Sequence, residues 1–251
     1  MPYIFVDAFV VKDGHAQLDR KLSHYVISVL RHRRGDDLQL FDTEGRYYRA
    51  VITAVASGGV TVRAIEETAP QSESALEMVL CQGLLKGDKM DMVVEKSTEL
   101  GVKKIIPLLT QRGQLHYTRK LDRWKKIAIE ASRQSGRVFV PEITQVTDVP
   151  SLLSLIGSDV SQNAWASSSR MLGLMFYEGE AKGLHRLPSV GWSPTKVYVL
   201  IGTEGGFTKE EVGMAESAGV IITSLGRRIL RAETASIAAI TLVQFLFGDL
   251  G

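Results

Sequence analysis

The chain has 251 residues, of which 45% are apolar and 23% are charged, and a formal net charge of +2; this balance is typical of a globular protein and excludes a disordered chain. Cys81 is the single cysteine, so an intramolecular disulfide is excluded and a reducing compartment fits. No apolar run approaches the roughly 18 residues of a membrane span, and the N-terminal segment lacks the basic stretch of a signal peptide, so we expect a cytoplasmic protein.

The first 68 residues predict a small β-rich unit around one helix. Apolar residues at helical spacing predict the helix over 22–30, which Gly35 follows as a candidate C-terminal cap. Strand patterns separated by glycine-containing turns occur at 3–7, 37–42, 47–55 and 60–67. Short strands of this kind favour a small β-barrel or sandwich, and the polar segment 68–74 is predicted to be a linker.

After the linker, strand and helix patterns alternate, which predicts an α/β domain with a mostly parallel sheet. The strands are predicted at 78–85, 103–110, 171–177 and 196–202, and the helices at 88–101, 121–136, 208–219 and 233–247. Thr208 and Glu211 have the spacing of a capping box. The polar stretches 161–163 and 167–169 predict a surface loop. The last helix is apolar on nearly every face, so it must be buried in a core or against another subunit.

Two glycine turns, IGTEGG at 201–206 and LGRRILRAETA at 225–235, follow apolar runs. Neither has the lysine of a P-loop or the spacing of a dinucleotide fingerprint, and Glu204 would repel a phosphate. Glycines allow backbone groups to approach a flat base closely. The pair therefore favours one site for a cationic or neutral ligand with an adenosine-like body.

The segments VLIGTEGGFTKEE (199–211) and LGRRILRAETA (225–235) resemble the signature of the SPOUT methyltransferases. More closely, the chain resembles the ribosomal RNA small subunit methyltransferase E family, because residues 24–42, 84–112 and 129–137 are also similar to that family's motifs. The resemblance covers nearly the whole chain. Thr203 is a departure, since the family usually has proline there, and proline would fix the backbone φ angle.

The resemblance implies a C-terminal SPOUT-type trefoil-knotted α/β domain with a mostly parallel sheet over 75–251 and an N-terminal PUA-like β-barrel over 1–70 that helps to hold RNA. It implies S-adenosyl-L-methionine as cofactor, a homodimer, no metal, and methylation of N3 of a uridine in 16S rRNA of the small ribosomal subunit.

In this interpretation Arg231 stabilises the negative charge that develops on the uracil oxygens. Glu204 or Glu233 could accept the N3 proton or orient the arginine, and for Glu233 a favourable position in the first turn of the last helix is the alternative. The predicted catalytic residues are Arg231 and Glu204. The predicted cofactor-binding residues are Leu200, Gly202, Glu204, Gly205, Gly206, Leu225, Gly226, Leu230, Glu233, Thr234 and Ala235.

RNA contacts are predicted from local charge. Between residues 112 and 137 there are eight basic and two acidic residues, a net charge of +6 in a chain whose total is +2. Such an excess is typical of a surface that contacts phosphates, although many charge runs are merely solvated helix faces. The predicted RNA-binding residues are Arg31, Arg33, Arg34, Arg112, Arg133, Arg137 and Arg228.

Two other functions fit part of the pattern. A SPOUT relative that methylates a ribose 2′-hydroxyl would share the two glycine motifs, but the N-terminal barrel and the segment 88–101 argue against it. A non-catalytic RNA-binding factor in ribosome assembly would not need both glycine turns beside Arg231.

Overall fold

The computed structural model describes residues 3–6, 15–42, 46–56, 59–68, 73–115, 117–163, 171–179, 182–183 and 193–251. The chain divides into two compact units. The first comprises Met1–Glu73 and Ser132–Val140, and the second comprises Ser74–Ala131 and Pro141–Gly251. No helix among the described residues is long and apolar enough to cross a membrane.

The first unit is built on a sheet that has five strands in its described part, in the order β1-β3-β4-β5-β2. β1 runs parallel to β3, and the other pairings are antiparallel. One face of the sheet packs with Val26 of the helical segment around a core of aliphatic side chains. The elements are β1 (Tyr3–Val6), β2 (His15–Gln17), α1 (Arg20–His24) with a π-helical turn (Tyr25–Val29), β3 (Asp37–Asp42), β4 (Tyr47–Ala56) and β5 (Gly59–Thr68).

The second unit alternates strands and helices. Its elements are β6 (Glu77–Gly83), α2 (Lys89–Glu99), β7 (Lys104–Leu109), α3 (Leu121–Ser135), β8 (Glu142–Ile143), β9 (Thr147–Asp148), α4 (Val149–Asn163), β10 (Met171–Phe176), β11 (Lys182–Gly183), β12 (Lys196–Ile201), α5 (Lys209–Ser217), β13 (Ile221–Ser224) and α6 (Ala232–Phe247). The last four residues of α3 belong to the first unit.

The sheet of the second unit has eight strands among the described residues, with the path β11-β13-β10-β12-β6-β7-β8 and with β9 beside β7. Every pairing in it is parallel. The central strands β6, β10 and β12 are almost fully buried, as expected of a parallel sheet covered on both faces. The predicted α/β class with a mostly parallel sheet and a small N-terminal β unit is confirmed.

In the sheet β10 lies between β12 and β13, whereas in the chain β11 and β12 follow β10, and β13 comes only after α5. From there α6 returns and packs against α2 and β12. The order of neighbouring strands thus differs from their order in the chain. It also places the segments that follow β10, β12 and β13 at the same edge of the sheet, since these strands are parallel neighbours.

Local sequence signals account for several helix ends. The predicted capping box of α5 is confirmed: the Thr208 hydroxyl accepts from the Glu211 N–H at 3.2 Å, and the Glu211 carboxylate accepts from the Thr208 N–H at 2.8 Å. The loop predicted at 161–163 is wrong, because these residues end α4. Residues 167–169, which were predicted with it, lie outside the described residues.

Arg137 is not a surface residue. It is 3% exposed, and its guanidinium makes two hydrogen bonds to Glu73 in the same unit, from Nε to Oε1 at 3.1 Å and from Nη2 to Oε2 at 2.8 Å. Glu73 also accepts from the Phe139 N–H at 3.3 Å. The Arg137 side chain is thus paired with the Glu73 carboxylate, which is 15% exposed, and is not exposed on the surface where the sequence prediction placed an RNA contact.

We expect Arg137→Ala to lower the free energy of unfolding by about 3–5 kcal/mol, because removing one partner of a buried ion pair leaves the other charge buried and unpaired. Urea denaturation of the intact chain measures it. Arg34→Ala is the control, since Arg34 is an exposed arginine of the same unit and should change stability by less than about 0.5 kcal/mol. Equal stability of both variants and the wild type would contradict a structural role for the Glu73 pair.

Candidate active site

A cavity of about 760 Å³ opens where three neighbouring strands of the parallel sheet end. Its walls come from the segments after β10, β12 and β13 and from the start of α6. Ligands of open parallel sheets bind at such carboxyl edges, and a volume of this size lies in the range of small-molecule sites. The two glycine turns therefore form one site, as the sequence predicted.

Most of the predicted cofactor residues line this cavity. Those that do are Gly202, Glu204, Gly205, Gly206, Leu225, Gly226, Leu230 and Ala235. Arg231 and Arg228 line it as well. Three predicted residues are not part of its wall: Leu200 is fully buried inside β12, Glu233 is buried in the first turn of α6, and Thr234 is exposed beside it.

The side chain of Gln82 joins the first glycine turn to α6. It is fully buried in β6, and its Nε2 donates to the Gly202 carbonyl at 3.3 Å and to the Gly83 carbonyl at 3.1 Å. Its Oε1 accepts a hydrogen bond from the Ser236 hydroxyl in α6. One amide thus holds the loop after β12 and the first turns of α6 in fixed positions.

The turn 203–206 is tight, and contacts within the protein leave no room for a side chain at its glycines. The Gly206 N–H donates to the Thr203 carbonyl at 3.0 Å, and Gly206 has a φ of +67°, which favours glycine. A Cβ on Gly205 would lie 2.9 Å from Cβ of Arg112 and 3.0 Å from its carbonyl oxygen. Gly205 therefore faces the segment at Arg112, whereas the sequence suggested that its small size admits a ligand.

Thr203 occupies the position where the family usually has proline. It is 6% exposed, and its hydroxyl lies 3.4 Å from the hydroxyl of Thr110. A Cβ on Gly83 would lie 2.6 Å from the Thr203 nitrogen, so the ends of β6 and β12 approach more closely than any larger residue would allow. Packing from β6 and β7 thereby holds this residue in place.

Lys89 is a cavity residue that the sequence did not indicate. Its Nζ donates to Glu204 Oε1 at 2.8 Å, with both side chains slightly more than a third exposed. Partial burial raises the pKa of the Glu204 carboxyl, but the hydrogen bond and charge of Lys89 and nearby backbone N–H groups outweigh it, so the pKa lies below its usual range. The same hydrogen bond raises the pKa of Lys89.

Arg231 and Glu233 flank the start of α6. Arg231 is the N-cap residue, immediately before the first residue of the helix. It is exposed and lines the cavity. Glu233 is 9% exposed, and its Oε2 has no hydrogen-bond partner among the described residues. Its negative charge lies in the first helical turn, where the helix dipole favours it, and it contributes to raising the pKa of Lys89.

The predicted RNA-binding arginines have different environments. Arg31, Arg33 and Arg34 are exposed in the first unit, and Arg112 and Arg228 are exposed in the second. Arg133 is partly buried, and Arg137 is buried as described above. Within the described part of the chain, no group of three or more metal-binding side chains comes together.

We expect Lys89→Met to raise the pKa of Glu204, because the ion pair that lowers it is lost while partial burial remains. A pH titration of the side-chain carboxyl carbon by NMR measures the shift. Lys86→Met is the matched control, since Lys86 acts on Glu204 through its backbone N–H. In the wild type the ionised Glu204 contributes stability above its unfolded pKa of about 4.3, and this contribution is lost as the pH falls through the folded pKa. An unchanged titration in Lys89→Met would refute the coupling.

Comparison with known proteins agrees with this geometry. The RNA methyltransferase domain family matches residues 72–244, and the RNA methyltransferase PUA domain family matches residues 18–65. The latter match confirms the PUA-like class of the N-terminal unit. A ribosomal RNA small subunit methyltransferase E of Buchnera aphidicola is 30% identical over 255 aligned positions, which cover 99% of this chain and 95% of that protein.

Solved structures are similar over the whole chain. A ribosomal RNA small subunit methyltransferase E from Neisseria gonorrhoeae bound to S-adenosyl methionine superposes with a TM-score of 0.85 at 30% identity and covers 100% of both chains. A putative methyltransferase from Legionella pneumophila in complex with the same cofactor superposes with a TM-score of 0.79 at 32% identity, covering 99% of this chain and 98% of that one. The chain belongs to the ribosomal RNA small subunit methyltransferase E family of RNA methyltransferases.

Proposed function

We propose that the protein transfers the methyl group of S-adenosyl-L-methionine to N3 of a uridine in the 16S rRNA of the small ribosomal subunit. The observation that carries the proposal is the cavity at the sheet edge, whose lining includes both Arg231 and Glu204. The Neisseria gonorrhoeae relative of the same fold is bound to this cofactor, and the related proteins are named as methyltransferases of small-subunit rRNA.

The residues present suit this cofactor. Apolar side chains, among them Phe176, Ile201 and Leu230, line the cavity and provide contacts for a flat base. Glu204 supplies a carboxylate that favours a positively charged group. When bound, the sulfonium supplies an already activated methyl group, so the reaction needs no metal.

The protein's part of the chemistry is to place the uracil and manage its N3 proton. Arg231 directs a permanent positive charge into the cavity, where it stabilises the negative charge that spreads over the two uracil oxygens once N3 loses its proton. Glu204 is ionised at neutral pH, because its pKa lies below its usual range. It can therefore orient Arg231 or accept the proton, and Lys89 holds the carboxylate at the wall.

RNA contacts are assigned in this proposal to the exposed arginines Arg31, Arg33, Arg34, Arg112 and Arg228. Two exposed lysines of α3, Lys125 and Lys126, add positive charge to the second unit. Phosphate contacts of this kind make affinity fall with salt.

Incubation of undermethylated small subunits with labelled cofactor, followed by identification of the modified base, tests the function. The proposal expects one labelled uracil methylated at N3. Label on a ribose 2′-oxygen would favour the alternative SPOUT activity, and cofactor-free binding of the subunit without transfer would favour an assembly factor. Either result would overturn the proposal.

Arg231→Ala should reduce kcat by about 100-fold or more, because one charge that stabilises the transition state is lost, while the Kd for the cofactor changes little. Single-turnover methylation and calorimetric titration measure the two quantities. Arg227→Ala is the matched control, since Arg227 is an exposed arginine of the same segment outside the cavity wall. Near-normal turnover of Arg231→Ala would remove Arg231 from the mechanism.

A homodimer is part of the proposal, and α6 supports it. Phe245 is 61% exposed and Leu242 is 39% exposed on a helix whose other face is fully buried at Ala239, Ile240 and Val243. A second copy would remove these apolar side chains from water. Sedimentation equilibrium should show that the wild type is a dimer and that Phe245→Asp dimerises more weakly. A wild type that is monomeric at micromolar concentration would disprove the homodimer.

A further inference from the structure

Tyr117 is a large aromatic side chain that the fold leaves in water. It lies in the segment 110–120 between β7 and α3 and is 67% exposed. Its ring is held in place by Arg119, whose Nε donates to the tyrosine hydroxyl at 3.2 Å and whose guanidinium carbon lies 5.7 Å from the ring centroid. An exposed aromatic ring held by an arginine is preorganised for binding, because less of its conformational freedom is lost when a ligand stacks on it.

The segment that carries Tyr117 makes hydrogen bonds to residues at or near the cavity wall, both before and after Tyr117 in the chain. On one side Arg112 Nη1 donates to the carbonyl of Gly205, a cavity residue, at 3.2 Å. On the other side Lys120 Nζ donates to the Gly87 carbonyl at 2.8 Å, two residues before Lys89 of the cavity wall. The segment that carries Tyr117 is therefore bonded at one end to a cavity residue and at the other end to a residue close to the cavity wall.

The chemistry of the segment points to single-stranded RNA as the occupant of this surface. Between residues 112 and 120 the chain has three cationic residues, Arg112, Arg119 and Lys120, and no acidic residue. Unpaired bases stack on aromatic side chains and arginine planes while basic groups contact the backbone. A second copy of the chain fits less well, because two identical cationic segments would repel each other.

We propose that Tyr117 is a stacking platform for an unpaired RNA base that lies within a few nucleotides of the target uridine. This inference rests on the proposed function and adds to it a residue that determines how the RNA is positioned. The platform holds the strand beside the cavity, so that the target base enters while its neighbour is stacked outside. The ring, not the hydroxyl, makes the contact.

The first test compares RNA binding and single-turnover methylation by Tyr117→Ala and Tyr117→Phe, with a small-subunit rRNA fragment that contains the methylated uridine. Loss of one stacked base should weaken RNA binding about 5- to 150-fold in Tyr117→Ala. Tyr117→Phe loses the hydrogen bond from Arg119 but keeps the ring and its contact with the guanidinium, so it should weaken binding much less. The Kd for the cofactor should be unchanged in both. Equal RNA affinity of Tyr117→Ala and the wild type overturns the inference, as does a loss in Tyr117→Phe as large as that in Tyr117→Ala.

Salt dependence separates stacking from charge. Tyr117→Ala should keep the wild-type slope of log affinity against log salt, since no phosphate contact is lost. Lys125→Ala, which removes an exposed cation from α3, is the comparison variant and should reduce that slope by about one unit if it contacts a phosphate. A changed slope in Tyr117→Ala would show that its effect is electrostatic and would overturn the stacking platform.

RNA fragments that lack a single base locate the platform's partner. In a double-mutant cycle, there should be one position beside the target uridine at which removing the base lowers the RNA affinity of the wild type. The same removal should hardly change the RNA affinity of Tyr117→Ala. If removal of the base shows no coupling to Tyr117 at any position, the inference is overturned. If the wild type still methylates the fragment in that case, the proposed function is unaffected. A wild-type chain that neither binds nor methylates the fragment overturns both.

Discussion

The cavity depends on one buried amide. Gln82 has no contact with water, and its side chain is hydrogen bonded to the loop after β12 through Gly202 and to α6 through Ser236. These segments lie 120 and 154 residues further along the chain. Because an unpaired amide in this core would cost about 1–3 kcal/mol, the amide favours only those arrangements in which both cavity walls are in place.

The glycines complete this constraint by allowing close approach. A side chain on Gly83 would overlap the backbone of Thr203, and one on Gly205 would overlap Arg112. The turn 203–206 is thus clamped between the ends of β6 and β7, and Arg112 bonds back to the Gly205 carbonyl. The segment that carries Tyr117 begins at the same clamp. The cavity and the segment to which we assign RNA binding therefore share one support, and a reaction between two bound molecules needs both to be held in a fixed relative position.

Local sequence patterns predicted the helices and strands, because their signals lie within a few residues. The site residues were predicted less completely, because their contacts link residues far apart in the chain. The capping box of Thr208 and Glu211 was visible because its partners are three residues apart. Lys89 was missed because its partner Glu204 is 115 residues away, and no periodicity links them. Arg137 was placed on the surface because it belongs to a basic run, whereas Glu73, its partner across 64 residues, makes it an internal ion pair. The glycine motifs located the cavity correctly, but the clash at Gly205 arises from Arg112, which the motif does not contain.

The charges around the cavity follow from the same arrangement. Lys89, Arg228 and Arg231 give its wall three cations, and Glu204 and Glu178 give it two carboxylates. Lys89 is engaged by Glu204 at 2.8 Å, so the negative charge near the glycine turn is held in position, while the arginines of the segment 225–231 are left on the exposed side. In the proposed function, a cationic donor is accordingly favoured beside the glycine turn, and the exposed arginines are the groups proposed to contact the RNA backbone. A cation in place of Glu204 would repel the cationic donor while still attracting phosphates, so this carboxylate is what makes the charge of the cavity favour the donor.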